Sequence, residues 1–160
     1  MTNLFLAPVD SPDFEASVRT PVDLDAIEDR PDALNDTDSV RLWGTTPGTR
    51  NESNFEKLRS GDLVLFREDD SYVGIGRVGT TFEDDDGWAS SRIWDDSDST
   101  LLYTLSSYRD VSVPQSAVNR IFGYSDSYAP QGLMRVADGK VTNEPAAIEL
   151  ALERYTERNA

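Results

Sequence analysis

Neither cysteine nor histidine occurs in the 160 residues. The first absence excludes disulfides, thiolate zinc sites and a cysteine nucleophile. The second removes the commonest general base and metal ligand. Lysine is scarce as well, with Lys57 and Lys140 the only two, so the remaining basic residues are arginines. There is no long apolar run and no basic n-region followed by a small-residue cleavage site. Neither a membrane span nor a secretory signal is therefore expected, and the sequence reads as that of a cytoplasmic protein. No catalytic constellation, cofactor or metal site is apparent, and the expectation is a non-enzyme.

Acid is what the chain has in excess: 30 Asp and Glu stand against 15 Lys and Arg, for a formal net charge of −15. The acids are spread between apolar segments instead of forming one block, so the chain can still bury a core that offsets its ordering entropy. Its length fits one domain, residues 1–160. An acidic, lysine-poor surface of this kind suits a salt-adapted cell. At molar salt the screening length falls to about 3 Å, and self-repulsion of the compact state is weakened.

Asn3 to Ala7 reads as a strand. Ser11-Pro12-Asp13 opens a helix with Ser11 as cap, and Pro21 ends it. Val40 to Trp43 is a strand. The run Leu63-Val64-Leu65-Phe66, the acidic turn Glu68 to Ser71 and the return Tyr72 to Val78 predict a hairpin. Gly74 and Gly76 in its second arm point to close backbone approach or to strand coiling, which suit a small barrel. Trp88 to Trp94 and Leu101 to Leu105 read as strands, Pro114 to Phe122 as a helix and Leu133 to Val136 as strand-like. Asp138-Gly139 is a hairpin signal. A final helix is capped by Asn143 and carries Ile148, Leu152 and Tyr155 on one face.

Most acidic or glycine-rich stretches have plain explanations. Asp138-Gly139-Lys140 matches half of a metal-nuclease motif but lacks a partner acid upstream. Asp84-Asp85-Asp86-Gly87 and Asp95-Asp96-Ser97-Asp98 lack the alternating ligands and distal Glu of an EF-hand. Gly44 to Arg50 lacks the Gly-Lys-Ser/Thr ending of a P-loop. More informative is the segment from Arg41 to Arg77. It holds Arg41, Arg50, Lys57, Arg59, Arg67 and Arg77 against Glu52, Glu56, Asp62, Glu68, Asp69 and Asp70, and is formally neutral within a chain of −15. A surface facing an anionic partner would need this, and a buried sheet that excludes surplus acid would produce it too. Trp43, Trp88 and Trp94 are the only tryptophans. They are either core residues or walls of a pocket that stacks on a planar base, with amides such as Asn51 and Asn54 reading its edge.

Arg41-Leu42-Trp43-Gly44, the polar loop Thr45 to Asn54, Gly61-Asp62-Leu63-Val64-Leu65-Phe66 and Tyr72-Val73-Gly74-Ile75-Gly76-Arg77-Val78 together resemble the EVE-like branch of the PUA-like superfamily, which also includes YTH and ASCH domains. The likeness covers residues 40–78 closely and the rest loosely. It implies an α+β fold, a small, twisted, partly closed β-barrel flanked by helices. Such domains serve as modified-base readers, often as recognition modules of modification-dependent restriction systems. On that resemblance Trp43 is one wall of a base pocket, Gly44 and Thr45 offer backbone groups beside it, and Asn51 and Asn54 read the base edge. Trp94 is the opposing wall, with Trp88 the second choice. Arg41, Arg50, Lys57 and Arg59 are the candidates for backbone phosphates. Arg67 stands where EVE domains commonly carry tyrosine.

The expected function is a reader that stacks a modified base of DNA or RNA between Trp43 and Trp94. Its expected effector is a nuclease or motor, acting in trans or on a longer chain. The alternatives are an enzyme using carboxylates such as Asp62 or Asp126 on a nucleotide or modified base, and a protein-interaction module.

Overall fold

The computed structural model describes residues 2–94 and 98–159. Its framework is a seven-stranded sheet in the order β2-β3-β6-β5-β4-β1-β7. The strands are β1 (Leu4–Pro8), β2 (Val22–Asp23), β3 (Ser39–Thr45), β4 (Leu63–Glu68), β5 (Ser71–Glu83), β6 (Leu101–Pro114) and β7 (Met134–Arg135). The helices are α1 (Ser11–Phe14), continued by a wider turn Glu15–Arg19, α2 (Thr49–Phe55), α3 (Trp88–Arg92), α4 (Gln115–Phe122) and α5 (Pro145–Arg158).

The apolar runs explain the centre of the sheet. β1 pairs with β4 in parallel, Leu4 opposite Leu63 through Pro8 opposite Arg67, and β4 pairs with β5 antiparallel. Both β1 and β4 are covered on two faces, which is why they are continuously apolar and do not alternate. Phe5, Val64 and Phe66 face one core with Phe14, Leu42 and Trp43. Leu4, Leu6, Leu63 and Leu65 face a second, closed by Val118 and Phe122 of α4 and Ile148 and Leu152 of α5. The hairpin read at Glu68 to Ser71 is present, with Asp69 in the left-handed region at its turn (φ 55°). In its second arm a β-carbon on Gly74 would collide with the Tyr108 ring of β6, so the close approach read from that glycine is real.

Several local expectations are corrected. The sheet is α+β and open: its edge strands β2 and β7 pair with different neighbours and not with each other, so no closed barrel forms among the described residues. Residues 88–92 are helical, not extended. The buried carboxylate of Asp84 accepts from the N–H groups of Trp88 (3.0 Å) and Ala89 (2.9 Å) and starts a helix where aromatic content alone suggested a strand. The polar segment after Thr45 contains α2. Asp138–Lys140 is a single helical turn and not a hairpin. Asp10 and Glu144, not Ser11 and Asn143, occupy the positions preceding α1 and α5. Among the described residues no helix is long and apolar enough to cross a membrane.

Candidate base-binding cleft

At the ends of β1 and β3 the chain opens a cleft of about 400 Å³. β1 and the start of α1 contribute Pro8, Val9, Asp10 and Asp13; the end of β3 contributes Trp43, Gly44, Thr45 and Thr46. Asn51 of α2, then Trp94 and Ser99, and finally Gln131 and Gly132 complete the wall. Four distant stretches of sequence thus meet in one place. The volume lies in the range of small-ligand sites, about 300–1,000 Å³.

The aromatic floor is fixed from behind. The Trp43 and Trp94 rings meet edge to face, with centroids 5.7 Å apart and planes at 72°, and Phe14 packs edge-on against Trp43 at 5.5 Å. The Trp94 indole N–H donates to the Ser17 hydroxyl (3.0 Å), which donates to the Leu42 carbonyl (2.6 Å). Ser17 is fully buried, so this relay satisfies three polar groups and ties the Trp94 ring to β3.

The side wall is held by α2. Asn51 donates from Nδ2 to the Thr46 carbonyl (2.8 Å) and accepts at Oδ1 from the Leu133 N–H (3.1 Å). Asn54 donates to the Leu133 carbonyl (2.8 Å). The backbone of Leu133 is therefore held at both its N–H and its C=O by two side chains one helical turn apart. A β-carbon on Gly132 would collide with the Asn51 carboxamide, so the clamp requires glycine there. The lining is acidic: Asp10 and Asp13 belong to it, and no lysine or arginine is among the described residues that do.

No protein-family model and no curated sequence matches the chain. Among solved structures it is similar to the N-terminal domain of Thermococcus gammatolerans McrB bound to m5C DNA, with a TM-score of 0.73 and 19% identity, over 94% of this chain and 99% of that one. The two chains share one fold. The EVE-like resemblance drawn from residues 40–78 is thereby borne out as a likeness of fold.

Within this McrB-type fold the residues picked from sequence fall into three groups. Trp43, Gly44, Thr45, Asn51 and Trp94 do meet in the cleft, but not in the expected roles. Trp43 and Trp94 touch each other and leave no slot between them, so they form one angled surface and not two parallel walls. Asn51 is engaged with backbone on both ends of its amide, and Asn54 holds Leu133 and is not part of the lining. Trp88 lies elsewhere, in a second cleft of about 740 Å³, with its indole N–H donating to the Glu28 carbonyl (2.9 Å).

Of the cations expected to meet phosphates, two are tied internally. Arg41 bonds the carbonyls of Val18 and Arg19 and lies over the Tyr108 ring, while Arg59 donates to the Glu56 and Leu58 carbonyls. Arg50 and Lys57 are exposed and their side chains form no hydrogen bond or ion pair among the described residues. The carboxylates of the enzyme alternative are engaged too. Asp62 is buried and accepts from the N–H groups of Asn3 (2.9 Å) and Arg59 (2.8 Å), and Asp126 pairs with Arg120. Asp95 and Asp96 of the second acidic turn lie outside the described residues, which hold no group of three or more potential metal ligands.

Sequence reasoning missed Asp10, Asp13, Ser99, Gln131 and Gly132. The aspartates looked like ordinary helix-start residues, and Gln131-Gly132 carries no motif. Only the three-dimensional meeting of β1, β3 and the 131–133 segment brings them together.

Proposed function

We propose that this chain is a reader of DNA carrying a modified base, and that the base lodges in the cleft floored by Trp43 and Trp94. The observation that carries this reading is that five residues chosen from sequence as a base pocket line one cleft, in a fold shared with a domain solved bound to m5C DNA. A base turned out of its strand would lie on the angled surface of the two indoles, with the backbone of Gly44 and Thr45 beside it. Stacking of this kind supplies about 1–3 kcal/mol per base, and turning the base out costs a few kcal/mol, least where pairing is already weak. The rest of the affinity comes from the base edge, since a chain of −15 has few cations to offer phosphates. The surface suits a protein working at high salt inside the cell, delivering bound DNA to a nuclease or motor.

The test is a tryptophan-fluorescence titration in high KCl with strands carrying m5C, hydroxymethylcytosine or N6-methyladenine against unmodified controls. Selective, saturable quenching is expected, weakened in Trp43→Phe, which keeps an apolar ring in the core. The absence of quenching by every modified strand would overturn the reading and leave the indoles as core residues.

A further inference from the structure

The charged lining of the cleft is one-sided. Asp10 and Asp13 both contribute to it, without a lysine or arginine among the described lining residues. Asp10 stands immediately before α1, where an aspartate ordinarily turns its carboxylate onto the helix N–H groups, yet it makes no such bond. Its side chain is exposed and keeps its acceptor sites for another group. An ionised carboxylate accepts hydrogen bonds and donates none. Gln131, from a distant part of the chain, brings a carboxamide whose Nε2 makes only a long contact of 3.5 Å to the Ala129 carbonyl. An acceptor-only group and a weakly held donor therefore face the same space.

We infer, building on the base-reading function above, that the cleft selects a base edge with an exocyclic amino group beside an unprotonated ring nitrogen, and that Asp10 is the specificity-determining residue. Cytosine and adenine carry this edge. The amino group donates to Asp10, and the ring nitrogen accepts from the Gln131 carboxamide. Thymine and guanine present a carbonyl beside a ring N–H; the Gln131 carboxamide can turn its oxygen to the ring N–H, but the carbonyl sets oxygen lone pairs against the acceptor-only carboxylate of Asp10. The discrimination acts on the edge and is separate from whatever senses the modification. It therefore operates between 5-methylcytosine and thymine, which carry the same methyl group and differ only in the amino or keto group and in the ring proton.

The test uses the whole chain in high KCl and two strands, free of thymine elsewhere, that differ at one position by m5C or thymine. The m5C strand is expected to bind about tenfold or more tightly. Asp10→Asn, whose carboxamide can also donate, should bring the ratio close to one, chiefly by strengthening binding of the thymine strand, at unchanged thermal stability. Asp10→Glu should keep the preference. Equal quenching by both strands would refute amino selection while leaving the base-reading function standing. An unchanged ratio in Asp10→Asn would refute the role of Asp10. Silence of all modified strands, N6-methyladenine included, would remove the base site and this inference together.

Discussion

Two clefts in this molecule contain tryptophan and carboxylates, and they are built to opposite ends. In the one around Trp88 the indole and the cations are engaged among the described residues, while Asp32, Glu83, Asp85 and Asp86 of the lining are not: Asp84 starts α3, Arg92 pairs with Asp29 at 2.8 Å, Arg30 bonds Asp25 and the Thr37 carbonyl, and the indole N–H is bound to Glu28. Satisfied polar contacts of this type fix the Trp88 ring and both guanidinium groups in the structure. In the cleft around Trp43 and Trp94 the engaged groups, Ser17, Asn51 and Asn54, lie behind or beside the surface, and the rest of the lining includes the two indoles, the backbone of Gly44 and Thr45, and the carboxylate of Asp10. Composition alone would not separate the two. The direction in which each polar group is satisfied does.

The sharpest way to break this contrast is to truncate the two tryptophans separately. Trp88→Ala should cost about 3–5 kcal/mol of folding stability, read by denaturant unfolding in high KCl, and leave the affinity of the folded protein for a modified strand unchanged. Trp43→Phe should do the reverse, weakening that affinity about tenfold with a smaller loss of stability. If Trp88→Ala alone abolished binding to folded protein, the assignment of the two clefts would be exchanged.

A smaller effect is expected from the clamp. Asn51→Ala and Gly132→Ala each release the 131–133 wall, and each should weaken binding by about 0.5–1 kcal/mol. Asn51 and Asn54 hold the backbone of the same residue, Leu133, so Asn51→Ala and Asn54→Ala should combine non-additively in a double-mutant cycle on affinity. Additive losses would mean that the wall does not move as one piece.

Smaller still is the salt term. With Arg50 and Lys57 as the two unengaged cations of the neutral segment, log K against log[KCl] for a single strand should slope no more steeply than about −1.4. Arg50→Ala should flatten it by about 0.7. The smallest expected effect is that of pH. The sequence has no histidine or cysteine, and burial pushes the hydroxyls of Tyr72, Tyr103 and Tyr108 upward, away from neutrality. Titrations at about pH 6.5 and about pH 8.5 should give the same affinity. A step between them would point to a titrating group in the bound strand.

The parts of this fold that were legible in sequence are those where one local signal dominates. Leu63 to Phe66 is apolar on both faces and is followed by an acidic turn, so β4 and β5 could be read directly. The final helix was legible because Ile148 and Leu152 repeat at helical spacing and are both buried. Residues 49–55 were not, because α2 buries only Phe55 and uses its polar residues as clamps. Trp88 to Trp94 misled because aromatic content favours strands, whereas a buried carboxylate four residues upstream decided the matter. At the site, Trp43 and Gly44 could be placed by motif. The role of Asn51 could not, since its partner, Leu133, is 82 positions away.

β1 lies between β4 and β7, and the cleft beside it closes only when Gln131 and Gly132 are in place. On the ribosome, the first strand must therefore wait for β4, and no partial product that stops short of Gly132 owns a complete cleft. Such long-range pairing is slow to form and leaves apolar edges open meanwhile. A chain stopped before Gln131 carries both indoles but lacks the wall beside them, so under the base-reading proposal strand binding would report synthesis past Gly132.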